Sequence, residues 1–301
     1  MRLGFPSAAQ LGLPCVGALR CWECEEPDFV DFAFFQALEA RSVDRHPLHE
    51  TLAHQASLAG AIQVSARIKS SDQDKLSWVT SDGCEGQTRA VWILVATGRR
   101  SNLRPFNVMR RIRSDRLVAL AFPWTRRAHD GSLILEAVAE GWWYAPPHRG
   151  ALGTLIFVTD SDLLPGDATQ RICMLREVYG GSALMSKVGE APDFSDYLGM
   201  DAQTGSVRDP VAGKLVAIGD AAISLDPLSG SGVQNAVEGA WTAATELADT
   251  QSIGPVYRHW LTVFRDRQLQ MRYRQYEDAA RRFRNSSFWQ RRMEVAAESR
   301  L

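Results

Sequence analysis

Lysine is almost missing from the 301-residue chain: four occur, Lys69, Lys75, Lys187 and Lys214, against 30 arginines. Chemistry that needs a lysine amine therefore has few places to occur. No run of roughly 18 apolar residues is present, so no membrane-spanning helix is encoded. Residues 1–10 lack a basic segment followed by an apolar one, so no secretory signal is read and the expected compartment is the cytoplasm. The five cysteines, an odd number without a signal, imply reduced thiols. Cys21 and Cys24 form a C-x-x-C, but no second pair or histidines at ligand spacing stand nearby, and no metal site is expected. His46, His49 and His54, spaced by three and five, read as surface residues. A net charge of −1 removes any global pull towards nucleic acid or an anionic membrane.

What is present suits a folded core, with 45% of residues hydrophobic. Residues 1–40 follow no clean period. Pro47 to Gly60 reads as a helix, with Pro47 at its first turn, Leu48, Leu52, Ala56 and Ala59 on one face, and Gly60 as its stop. Ala90–Ala96 (AVWILVA) and Lys214–Gly219 (KLVAIG) are continuous apolar runs, the pattern of strands buried on both faces of a parallel sheet. Between them, Arg116–Trp124, Ser132–Ala139, Trp142–Ala145 and Thr154–Thr159 are short β-type runs. The turns His129-Asp130-Gly131, Glu140-Gly141 and Pro146 to Gly150 separate them, which predicts an antiparallel meander. Val233 to Asp249 predicts a helix packed through Ala236, Val237, Ala240, Ala244 and Leu247. Val256 to Arg284, free of proline and glycine, predicts one long helix.

The stretch from Leu215 to Ala244 carries the chemistry. A buried strand ends at Gly219, and Asp220 sits at its carboxyl end, where open α/β sheets bind ligands. Asp226-Pro227-Leu228-Ser229-Gly230-Ser231-Gly232 follows. Its glycines allow close backbone approach, and the helix that starts next turns its free N–H groups towards the loop. An anion or an electron-rich ring oxygen is stabilised in such a place.

G-D-A-A at Gly219 to Ala222, followed by the P-x-x-G-x-G of Pro227 to Gly232, resembles the second FAD-binding motif of flavoprotein monooxygenases of the aromatic-hydroxylase type. The flavin-dependent halogenases are their relatives. Ala96-Thr97-Gly98 resembles the family's A-T-G strand end beside the adenine half of FAD. Asp44-Arg45 with Leu48 and Leu52 resembles the helix whose arginine approaches the cofactor. Gly141-Trp142-Trp143-Tyr144 before Pro146 resembles the G-W-W-Y segment of the substrate domain, and Ser287-Phe288-Trp289 with Arg291-Arg292 resembles the C-terminal F-W-x-R-R. The nearest branch is the halogenase-like monooxygenases, which include flavoproteins that modify peptidyl tryptophan.

The resemblance implies an α/β fold. An FAD-binding Rossmann-like domain of the glutathione-reductase type would span 1–105 and 208–254. A substrate domain with an antiparallel sheet would be inserted at 106–207, and a helical region would follow at 255–301. It implies FAD held by Arg45, Ala96, Thr97, Gly98, Gly219, Asp220, Asp226, Pro227, Gly230 and Gly232, and an aromatic small molecule or peptide stacked on Trp142 and Tyr144. It also implies electrons from NAD(P)H or a separate flavin reductase, and hydroxylation through a flavin hydroperoxide. No catalytic residue is singled out. The family's G-x-G-x-x-G pyrophosphate loop does not occur in this sequence, so the first βαβ unit is expected to be missing and FAD to bind weakly or not at all.

Two alternatives accompany this reading. A halogenase needs a lysine from its N-terminal half, and none precedes Lys69; the halogenase W-x-W-x-I-P is also absent. Alternatively the chain is a non-catalytic relative that binds protein or nucleic acid. From Arg258 onward 11 arginines stand against five acids, interleaved with Trp260, Phe264, Tyr273, Tyr276 and Phe283. A helix packed on the rest of the protein explains that pattern without a nucleic-acid partner, and none is expected.

Overall fold

The computed structural model describes residues 12–35, 40–72, 74–99, 109–127, 131–148, 150 and 152–298. The turn expected at His129 and Asp130 lies outside them. Two compact units emerge, one from the described residues of Met1–Gln63, Val118–Met200 and Tyr276–Glu294, the other from those of Val64–Leu117, Asp201–Gln275 and Val295–Leu301. Among the described residues no helix is long and apolar enough to cross a membrane.

The first unit is built on a seven-stranded sheet in the order Leu198–Asp201, Leu117–Thr125, Leu152–Asp160, Gly141–Ala145, Ser132–Val138, Gly17–Cys21, Asp28–Asp31. Ser132–Val138, Gly141–Ala145 and Leu152–Asp160 run antiparallel, the meander that their alternation predicts. Gly17–Cys21 extends the sheet parallel to Ser132–Glu136. This backbone ladder puts Gly17–Cys21 and Asp28–Asp31, grouped by sequence with the nucleotide-binding domain, on the same mixed sheet as the meander. The helix at residues 45–58 begins two residues earlier than Pro47 suggests, because Asp44 caps it and accepts from His46 N at 3.0 Å. Of its predicted apolar face only Leu48 is buried.

Strand alternation sends the two neighbouring tryptophans to opposite faces. Trp143 lies 4.4 Å from Phe157 and 5.8 Å, edge-on, from Tyr179. Trp142 meets Trp22 at 6.4 Å, and Trp22 in turn meets Trp289 at 5.6 Å. The indole N–H of Trp289 donates to Val138 O at 2.7 Å. The charges buried with these rings are answered. The Glu136 carboxylate accepts from the backbone N–H groups of Ala183, Leu184 and Met185, while burial pushes its carboxyl above the usual range. Asp160 pairs with the buried Arg292 and, at 3.1 Å, with Arg291, which also reaches Asp162.

The second unit holds the parallel pair expected from the two apolar runs: Ile93–Val95 lies against Leu215–Ala217, with Val211–Ala212 antiparallel on the other side. A meander of Ala66–Asp72, Lys75–Thr80 and Glu85–Arg89 and a small sheet of Arg111–Arg113, Gly205–Val207 and Ile223–Ser224 complete its strands. The helix Gly232–Thr250 corrects its predicted packing face. It buries Asn235, Gly239, Ala243 and Glu246, and leaves Val237 and Trp241 about 40% exposed. The reason is hydrogen bonding. Asn235 Nδ2 donates to Ile223 O at 3.0 Å, and Glu246 accepts from Val256 N and Tyr257 N at 3.0 and 2.9 Å, capping the next helix, Pro255–Arg282. On that long helix Tyr257, Phe264 and Tyr276 are buried, and Trp260 stacks on Phe264 at 5.1 Å, so these rings serve packing.

The buried pair in the first unit yields a stability prediction. Asp160→Ala strands the Arg292 charge and costs about 3–5 kcal/mol, whereas Asp162→Ala, on a half-exposed partner, costs about 1 kcal/mol or less. Urea denaturation measures both. Equal effects would show that the pair does not anchor the C-terminal helix Ser287–Glu298.

Candidate functional site

The site starts where the parallel strand stops. Ile218 N donates to Val95 O at 3.0 Å, the last rung of the ladder. Gly219 then turns with φ +57°, a left-handed conformation that favours glycine, into a short 3-10 turn, Gly219–Ala221. A Cβ there would stand 3.4 Å from Ala236 of the following helix, an ordinary contact, so the positive φ is what calls for glycine.

Asp220 is thereby placed at the strand's carboxyl end. Its Oδ2 lies 3.7 Å from Nε of Arg99. Its Oδ1 is buried and accepts no hydrogen bond. Arg99 in turn donates to Gln203 O at 3.3 Å and Leu225 O at 2.7 Å. Arg111 donates to Ser224 Oγ at 3.0 Å and to the carbonyls of Asp220 and Ala221 at 2.6 and 3.2 Å. Burial pulls its guanidinium below the ordinary value. Two arginines therefore clamp the backbone around Asp220. Arg99 directly follows Ala96, Thr97 and Gly98, but neither it nor Arg111 stands out as a site residue from spacing, since their partners lie about a hundred residues away.

Asp226 has a different task. It is buried, and its Oδ1 accepts from Leu228 N at 3.0 Å, capping the turn Pro227–Ser229. Gly230 closes that turn with φ +60°. Ser231 starts the helix without capping it through its side chain; its hydroxyl donates to Ser229 O at 3.0 Å instead. At Gly98, Gly230 and Gly232 nothing stands within 4 Å of where a Cβ would be, so the backbone there is open to a planar partner. Ala96 and Thr97 are exposed beside Gly98. Glycines, a buried unanswered acceptor and a helix start with free N–H groups thus share one unit.

The remaining expected residues are in the first unit. Arg45 is the exposed first residue of its helix. Trp142 is 1% exposed and spent on core packing; Tyr144 is half-buried. Near it Pro146, Pro147 and His148 line an open cleft of ≈960 Å³ together with Leu13, Val43 and Pro47.

No protein-family model and no curated protein matches the chain. Solved structures do. A peptidyl tryptophan dihydroxylase, QhpG, essential for tryptophylquinone cofactor biogenesis, superposes with a TM-score of 0.74 at 19% identity, over 94% of this chain and 65% of that one. The myxobacterial chondrochloren halogenase CndH, a variant of FAD-dependent halogenases, gives 0.70 at 17% identity, over 97% and 74%. HpxO of Klebsiella pneumoniae, solved with FAD and uric acid, gives 0.67 at 16%, over 95% and 77%. The chain thus spans just under two thirds of the dihydroxylase. The fold is that of the flavin-dependent halogenases and hydroxylases.

The two aspartates separate by stability. Asp226→Ala removes a cap and costs about 1 kcal/mol. Asp220→Ala removes a buried oxygen with no hydrogen-bond partner and leaves the melting temperature unchanged or higher. Thermal unfolding reads both, and the reverse order would show that Asp220 is the structural acid.

Proposed function

We propose that the chain is an FAD-dependent monooxygenase that hydroxylates an aromatic substrate. The observation that carries this is the buried Oδ1 of Asp220, without a hydrogen-bond partner, at the end of a parallel strand beside an open glycine loop. A carboxylate oxygen in that state calls for a hydroxyl donor, and the ribityl and ribose hydroxyls of FAD supply one. The residues fit the ring side of the cofactor. Pro227 to Gly232 would lie beside the isoalloxazine, the helix start at Gly232 would favour charge on its oxygens, and Ala96-Thr97-Gly98 would face the adenine half. The pyrophosphate has no G-x-G-x-x-G cradle in these 301 residues.

When bound and reduced, FAD supplies the chemistry of oxygen activation. The chain's own groups bind, orient and exclude water. Arg99 and Arg111 hold the loop carbonyls, so that Asp220 meets its partner without reorganisation. Oxygenation is favoured over halogenation because Lys69 is tied to Glu85 at 2.5 Å and Lys214 lies over the Trp92 ring. Likeness to a peptidyl tryptophan dihydroxylase supports an aromatic substrate, free or within a peptide, with Tyr144 as the ring still open to contact. NAD(P)H or a separate reductase would provide electrons.

FAD titration followed by fluorescence quenching tests this reading. The purified chain retains less than stoichiometric flavin but binds added FAD. Asp220→Ala weakens that binding by about ten- to a hundredfold, the worth of a hydrogen bond to a charged acceptor. Asp226→Ala weakens it less. Loss of binding with Asp226→Ala and its retention with Asp220→Ala would overturn the placement of the motif on the cofactor.

A further inference from the structure

A second cavity of ≈110 Å³ lies in the same unit, between the strands Gly205–Val207 and Ile223–Ser224 and the long helix. Its lining includes Thr204, Ser206, Asp226, Ser229, Gln268 and Arg272. It is smaller than the cavity of about 150 Å³ that admits benzene, and at about 30 Å³ per water it has room for one small polar group. We infer that this pocket binds a neutral amide, a group that presents an N–H donor beside a carbonyl acceptor.

The donor is called for by Gln268. This side chain is 7% exposed, and its Oε1 is buried with no hydrogen-bond partner. A buried acceptor left unanswered costs the folded protein about 1–3 kcal/mol, which a ligand N–H would recover. Arg272, which lines the cavity, can meet an acceptor. Arg272 is 8% exposed, and its guanidinium donates to Thr204 Oγ1 at 3.3 Å and forms an ion pair with Asp115 Oδ2 at 3.7 Å. Asp115 already accepts from Thr204 through N and Oγ1 at 2.9 and 2.5 Å, so its own needs are met without Arg272.

Charge decides against an ion. The buried charges here already have partners: Arg272 lies 3.7 Å from Asp115 Oδ2, and Asp226 caps the turn Pro227–Ser229. Arg265 at the mouth is itself paired to Asp266 at 3.0 Å. An anion or a cation would bring a further charge into a half-enclosed space with no unanswered buried charge to meet it. An amide answers Gln268 with its N–H and Arg272 with its carbonyl, and adds no charge to a half-enclosed space.

Nitrogen–proton correlation spectra of the intact chain, without flavin, test this independently of the cofactor reading. The probes are acetamide, acetate and methylammonium at equal concentration. Acetamide is expected to shift the Gln268 side-chain amide and the backbone signals of Thr204 to Ser206 and Ser229, and the two ions are not. No shift with acetamide, or an equal response to acetate, would overturn the inference. Gln268→Leu removes the acceptor. It should weaken acetamide binding by about fivefold or more and leave the melting temperature unchanged or higher. A lower melting temperature with acetamide binding intact would show that Gln268 only supports the fold. If Gln268→Leu does not fold, the ranking of the three probes on the native chain decides.

Discussion

A carboxylate held at the end of a parallel strand governs the candidate site. Asp220 sits there because Gly219 adopts a positive φ and because Arg99 and Arg111 hold the surrounding carbonyls. Without the arginines, the chain between Gly219 and Leu225 would have to satisfy its buried carbonyls elsewhere. Without the glycine, the positive φ that turns the chain out of the strand would be strained. The loop, the helix start and the acid are therefore one construction, in which the Oδ1 of Asp220 is left over at the strand end.

The buried carboxylates outside the site are, by contrast, well paired. Glu136 meets three backbone N–H groups, Asp160 two arginines, Glu246 two N–H groups and Asn235 a carbonyl. Among the acceptors left open, which also include Gln203 Oε1 and Asn235 Oδ1, Asp220 Oδ1 stands at the strand end beside the glycine loop and Gln268 Oε1 belongs to a residue that lines a cavity. Both lie in the same unit. Each points to a ligand that brings a donor, a hydroxyl in the first case and an amide in the second.

Much of this was legible in the sequence. The β-branched runs at 90–96 and 214–219 announce a parallel pair, and the turn-separated runs from 116 to 159 announce the meander. The acid after the strand and the Pro-Gly loop announce the site. Other parts were hidden for physical reasons. Gly17–Cys21 pairs through its backbone and shows no periodic side-chain pattern. The helix after the loop is packed through asparagine, glycine and glutamate, because partners make their burial inexpensive, and hydropathy reads that face as solvent. Trp142 and Trp143 look alike in sequence, yet both are buried, on opposite faces of one strand. Arg99 and Arg111 depend on partners distant in the chain, which no local spacing reveals.

The central claim is that the turn at Asp220 and the loop up to the helix start receive the flavin. Amide hydrogen exchange of the intact chain, compared with and without saturating FAD, examines it directly. Slower exchange at residues 219–222 and 228–235, with residues 132–160 unchanged, is the predicted result. Unchanged exchange throughout, or protection confined to residues outside the loop, would contradict it.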